Sequence, residues 1–191
     1  MSVLFIDSNS ELWFDKVDKY GVNVISMPYT IDGQEYYYDM GRKTDFAAFY
    51  LKVRKGFVPI TSALNPQNYC DYFEPFLEKG EDILYVTFSH QLSGTFAFLN
   101  MAVAELSAKY PKCKITVIDS KNISGGYALI ANAAAKMKAD GKSDKEITDA
   151  VLKLREKACA YFTVGDLHHL KRGGRISGVA AIFGTDRKSV V

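Results

Sequence analysis

The segment Phe88-Ser89-His90-Gln91-Leu92-Ser93-Gly94-Thr95 places hydroxyls, an imidazole and a glycine within one short stretch. It follows an apolar run, Ile83 to Thr87, and precedes a helical pattern from Phe96 to Tyr110. At such a strand-to-helix junction, unpaired backbone N–H groups, the positive end of a helix and side-chain donors meet. That combination holds a small anion, either a carboxylate or a phosphate. Thr61-Ser62, between Pro59-Ile60 and Asn65-Pro66, add further hydroxyls. Alone they read as a hydroxyl-rich loop entering a helix. Together with Ser93 and Thr95 they form a neutral donor set suited to a carboxylate that must be held and then released. Each hydrogen bond to a charged group contributes roughly 1.5–3 kcal/mol.

Other chemistries fit the spacing less well. A hydrolase elbow needs Gly-x-Ser-x-Gly around the nucleophile, which the residues flanking Ser93 do not supply. His90 has no orienting carboxylate nearby in sequence, and His168 and His169 lack a triad-like context. No His/Cys/Asp cluster has metal-ligand spacing, so neither a metal nor a cofactor is expected. Asp7 and Asp119 end strands, where carboxylates bind metals or ribose, but capping of their own following turns is the favoured reading. Gly125-Gly126 lacks both the dinucleotide and the P-loop pattern. In Lys171-Arg172-Gly173-Gly174-Arg175, the helix dipole accounts for Lys171 and Arg172. Arg175 follows two glycines and suits either a turn or presentation of a guanidinium to a phosphoryl group or acidic partner.

The elements that position these groups are legible as runs. Val3 to Ser8, Ile83 to Ser89 and Ile115 to Ser120 are apolar throughout and end in polar turns. Such runs are strands of a parallel sheet covered on both faces, with ligands taken at their carboxyl ends. Val24 to Ile31 and Gln34 to Tyr38, joined by Asp32-Gly33, read as a hairpin insertion at about 22–40. Helices are expected over Thr44–Lys55, from Pro66 to about Lys79, over Tyr127–Ala139 after Ser124-Gly125-Gly126, and from Ser143 to about Ala158. A short strand, Tyr161–Val164, and a helix, Leu167–Lys171, follow.

At 191 residues the chain is one domain or one domain and part of another. A net charge of +2 gives no electrostatic reason to expect nucleic acid. No apolar segment reaches the ~20 residues of a spanning helix, so no stable membrane insertion is expected. Cys70, Cys113 and Cys159 read as reduced thiols of a cytoplasmic protein. After Ala180-Ala181-Ile182-Phe183 a new apolar element stops abruptly. Asp186–Val191 matches the translation of a common sequencing adapter, so 186–191 is expected to be a non-native tail on a truncated reading frame.

Taken in order, these motifs resemble the DegV family of bacterial fatty-acid-binding proteins. The resemblance rests on Asp7-Ser8, Pro59-Ile60-Thr61-Ser62 with Pro66, Ser89 to Thr95, Val117 to Ser120 with Ser124-Gly125-Gly126, and Asp166 to Ser177. It implies an α/β fold: a parallel-sheet N-terminal domain of the DegV type, 1–160, with an incomplete α+β second domain starting at 161–185. It further implies a long-chain fatty acid held between the domains. Thr61 and Ser93 would bind the carboxylate, with Ser62, Gly94, Thr95 and Ser124 nearby. Arg175 would face the head group or a separate fatty acid kinase that makes an acyl phosphate. Such a protein is a substrate-presenting carrier and not an enzyme. The chain departs in carrying His90 beside Ser89, where many relatives have two serines. The alternative is a binding protein or enzyme for a small phosphorylated metabolite, with Ser89–Thr95 as its phosphate loop.

Overall fold

Alternation along each central strand organises the structure, a computed structural model that describes residues 2–162. β1 (Ser2–Asp7) sends Leu4 and Ile6 to one face of the sheet and Phe5 to the other. β6 (Asp82–Thr87) divides likewise, with Leu84 and Val86 opposite Ile83 and Tyr85. Both sets are buried, which is why these segments read as unbroken apolar runs.

β2 (Asn23–Ile25), β1, β6 and β7 (Ile115–Asp119) pair in parallel in the order β2-β1-β6-β7. On one face pack α1 (Phe14–Tyr20), α5 (Ser124–Ala139) and α6 (Asp144–Arg155), through Val17, Tyr127, Ile130, Ala134, Ile147 and Val151. On the other lie α3 (Pro66–Leu77) and α4 (Thr95–Lys109), through Tyr69, Phe73, Leu77, Leu99, Ala102 and Leu106. Phe73 meets Phe5 edge-on at 5.1 Å and Tyr85 at 5.9 Å, so strand and helix aromatics interlock. The expected parallel sheet covered on both faces is present.

The hairpin differs from its sequence reading. The run from Val24 to Ile31 is broken at Ser26-Met27: Asn23–Ile25 joins the main sheet as β2, and only β3 (Pro28–Ile31) enters the hairpin. β3 pairs antiparallel with β4 (Gln34–Tyr37) through Asp32 and Gly33, both at positive φ (57° and 70°), the signature of a primed turn. A two-residue strand, β5 (Ile60–Thr61), adds to the far side of β3, giving the order β4-β3-β5. α2 (Phe46–Arg54), capped by Asp45, follows the hairpin. α5 begins at Ser124, so Ser124-Gly125-Gly126 form its first turn and do not lead into it.

Both capping boxes are formed. Asn65 and Asn68 satisfy one another's backbone N–H at the start of α3, as Ser143 and Glu146 do at α6. Ser143→Ala is expected to cost about 1 kcal/mol. Urea unfolding should show this as a lower midpoint at unchanged slope; an unchanged midpoint would mean that α6 does not depend on its cap.

The chain divides into two compact units, Met1–Ala158 and Cys159–Val191. Tyr161 and Phe162 have no regular secondary structure. The rest of the expected strand Tyr161–Val164, the helix Leu167–Lys171, Arg175 and the tail 186–191 lie outside the described residues.

Candidate functional site

The carboxyl ends of the parallel strands are held by one buried acid. Asp7 ends β1 with no exposed surface, and its Oδ2 accepts from the Tyr85 hydroxyl at 3.0 Å, Phe88 N at 3.0 Å and the Tyr127 hydroxyl at 3.2 Å. Oδ1 accepts from Asn9 N at 3.1 Å. Tyr127 also accepts from Asp7 N at 3.1 Å and contacts the Val86 carbonyl. Burial pushes the Asp7 carboxyl up to about 6, against the four donors that favour its charged form. Burial, then the Asp7 charge, raises Tyr85 and Tyr127 well above the ordinary phenol range. Through Phe88 N, this acid anchors the entry to the Ser89–Thr95 loop.

The loop after β6 is tied to the loop after β7. Ser89 N donates to the Asn122 carbonyl at 2.9 Å, and Ser120 N donates to the Thr87 carbonyl at 2.9 Å. Within the loop, Ser89 Oγ accepts from Gln91 N at 3.4 Å, closing a 3₁₀ turn over His90–Leu92. Ser93 Oγ then accepts from Thr95 N at 3.3 Å, capping a donor in the first turn of α4.

Thr95 joins this loop to the Thr61-Ser62 segment. Its hydroxyl lies 2.9 Å from the Tyr69 hydroxyl and donates to the Leu64 carbonyl at 3.4 Å. Since Thr95 donates to Leu64, Tyr69 is the donor to Thr95. Burial pushes the Tyr69 phenol up to about 12. Ser62 is two residues from Leu64, at most about 7 Å of extended chain. The structure therefore brings Leu64 to the Ser93–Thr95 turn, while the Thr95 hydroxyl itself is occupied within the fold. Thr61 lies opposite Tyr29 in the small sheet and is exposed; Ser62 N donates to the Pro28 carbonyl at 3.3 Å. Ser93 is half-buried and Gly94 exposed.

Ser124 lies at the start of the helix that follows β7. It opens α5, on the opposite face of the sheet from α3 and α4, with a positive φ of 52°, and its hydroxyl donates to Glu11 Oε2 at 2.7 Å. Asp7 and Asp119 both cap the turns that follow them, through Asn9 N and Lys121 N, as favoured from sequence. Sequence reasoning missed the partner of His90. Its Nδ1 contacts Asp119 Oδ2, across 29 residues. The signal was available in strand register, since Thr87 pairs with Asp119 and His90 follows three residues later.

Among the described residues, no group of three or more His, Cys, Asp or Glu side chains is arranged to hold a metal ion. Two surface concavities, one along α6 at Asp149, Leu152 and Glu156 and one at Phe14, Asn23 and Met40, are lined by none of the candidate hydroxyl residues.

Comparison with known proteins identifies the family. Residues 2–188 match the family model described as "Uncharacterised protein, DegV family". A DegV domain-containing protein of Clostridium perfringens is 40% identical over 183 residues, covering 96% of this chain and 63% of that protein. A stearic acid-binding protein from Eubacterium ventriosum superposes with a TM-score of 0.79 at 28% identity, over 94% of this chain and 62% of that one. A DegV family protein from Thermus thermophilus, described for its fatty acid binding, gives 0.77 at 28% identity over 96% and 63%. The chain thus spans about 63% of the length of the curated relative, and with the family model matched along nearly all of it, it belongs to the DegV family.

Proposed function

We propose that this protein binds a long-chain fatty acid and presents it to a separate fatty acid kinase for conversion to an acyl phosphate. It acts as a carrier and not as an enzyme. The carboxylate is held at Thr61, Ser62, Ser93 and Gly94. Thr95, whose hydroxyl is taken by Tyr69 and Leu64, positions that turn. Ser124, whose hydroxyl goes to Glu11, is marginal, and Arg175 keeps the head-group or kinase role that the resemblance implies. The observation that carries this reading is the Thr95–Leu64 bond, which gathers the two hydroxyl-bearing segments at one end of the sheet. Solved relatives of the same fold include a stearic acid-binding protein.

The surroundings support a lipid tail. Phe88 and Leu99 belong to the core, but Ile60 (64% exposed), Leu92, Phe98 and Met101 (59%) leave apolar surface on the same elements that carry the hydroxyls. Covering an alkyl chain contributes about 0.8 kcal/mol per methylene, so the tail dominates affinity and the hydroxyls fix orientation. Among the described residues, no helix is long and apolar enough to cross a membrane.

Native mass spectrometry of the protein expressed in bacteria is expected to show a mass increment of one long-chain fatty acid. A clean apo mass, with no uptake of added oleate, would sink the proposal. The phosphorylated-metabolite alternative draws on the start of α4, where Gly94 supplies no side-chain cap to the first-turn amides. It predicts thermal stabilisation by a sugar phosphate and none by fatty acid.

A further inference from the structure

His90 and Asp119 form a preorganised pair at the rim of the candidate site. The Asp119 carboxylate is only 13% exposed. Its Oδ1 is taken by Lys121 N at 2.8 Å, which leaves Oδ2 for His90 Nδ1. The Asp119 carbonyl is held in turn by Arg155 Nη1 at 3.0 Å. The imidazole is 49% exposed, and its ring lies 5.6 Å from that of Phe96 in the first turn of α4. Two contacts thus fix the ring, and among the described residues its Nε2 has no hydrogen-bond partner. His90 opens the 3₁₀ turn and Ser93, in extended backbone, follows it, so the imidazole belongs to the same short loop as the Ser93 hydroxyl.

We infer that His90 is a direct contact to the ligand's anionic head, with Asp119 as its positioning residue. This rests on the fatty-acid reading and assigns to its head-group site a residue the hydroxyl set does not include. The charged groups around the pair are Asp119, Lys121, Arg155 and Glu156. Lys121 and Arg155 both pair with Glu156, at 2.6 Å and 3.2 Å. The imidazole is therefore the donor left for a ligand. As an imidazolium the ring has a donor at each nitrogen, one for Asp119 and one for the ligand's carboxylate. No covalent step is involved, because no serine hydroxyl is hydrogen-bonded to Nε2 among the described residues.

The test is titration calorimetry of the delipidated chain with laurate, below its micelle concentration, with dodecanol as the uncharged control. His90→Ala should weaken laurate about ten-fold or more, with dodecanol unchanged. His90→Gln, which keeps a side-chain donor, should restore part of the laurate affinity, and Asp119→Asn should weaken laurate while leaving dodecanol unchanged. Unchanged laurate affinity in His90→Ala, or an equal loss for laurate and dodecanol, overturns the inference and leaves the fatty-acid reading standing. A wild type that binds neither laurate nor dodecanol removes that reading, and this inference with it.

Discussion

Asp7→Ala is expected to lower stability by roughly 2–4 kcal/mol at neutral pH, because it removes the acceptor of three donors at once. They are the buried Tyr85 hydroxyl and Phe88 N and the part-buried Asn9 N, while the Tyr127 hydroxyl keeps the Val86 carbonyl. Each buried unsatisfied donor costs about 1–3 kcal/mol, and relief from burying the carboxylate offsets part of the sum. The pH dependence has a definite sign. Burial pushes the folded carboxyl up to about 6 from its ordinary 3.8, so the folded state binds the proton more tightly. The stabilisation from that proton is fully present below 3.8 and is lost as pH rises through 6, a swing of roughly 3 kcal/mol. Asp18, Glu74, Asp144 and Glu146 are shifted down and act in the opposite direction. The useful quantity is therefore the stability difference between wild type and Asp7→Asn, in which those groups cancel. Urea unfolding from pH 4 to pH 7 should show this difference moving steadily against the wild type; a flat difference would mean that Asp7 carries its charge without cost. Because Phe88 N loses its acceptor, Asp7→Ala should also loosen the Ser89–Thr95 loop and weaken ligand binding.

The sheet was legible where burial on both faces leaves a strand no polar residue, as in Leu4-Phe5-Ile6 and Leu84-Tyr85-Val86. Helix starts were legible where side chains satisfy backbone donors locally, as at Asn65 and Ser143. What escaped depends on partners distant in sequence. Asn23–Ile25 looks like the start of the hairpin strand until β1 claims it, and Ile60–Thr61 is a strand only because β3 lies beside it. The same holds at the site. Ser93 and the first turn of α4 follow from local turn chemistry. The engagement of Thr95 with Tyr69 and Leu64, and of His90 with Asp119, requires the packed structure. Ser124 shows the reverse: its hydroxyl reads as a donor in sequence, yet Glu11, 113 residues away in the chain, accepts from it.

The Thr61→Ala, Ser93→Ala double variant is expected to lose fatty-acid affinity by about 10²-fold or more. Each hydroxyl that donates to a carboxylate contributes roughly 1.5–3 kcal/mol, or about ten-fold at the lower end. Two donors on one carboxylate share its charge, so the double loss should fall short of the product of the singles. Ser93→Ala also removes the acceptor for Thr95 N, costing about 1 kcal/mol of stability, so thermal midpoints must be read alongside binding. Thr61 is exposed on β5, and the midpoint of its replacement is read alongside binding in the same way. Dodecanol, which has no carboxylate, should bind both single variants about as it binds the wild type, because the tail contacts remain. On the proposed function, acyl-phosphate formation with a fatty acid kinase should fall at least in step with laurate affinity, since the carboxylate to be phosphorylated would be the group these hydroxyls orient. A double variant that binds laurate like the wild type, at an unchanged midpoint, would move the head group away from this end of the sheet.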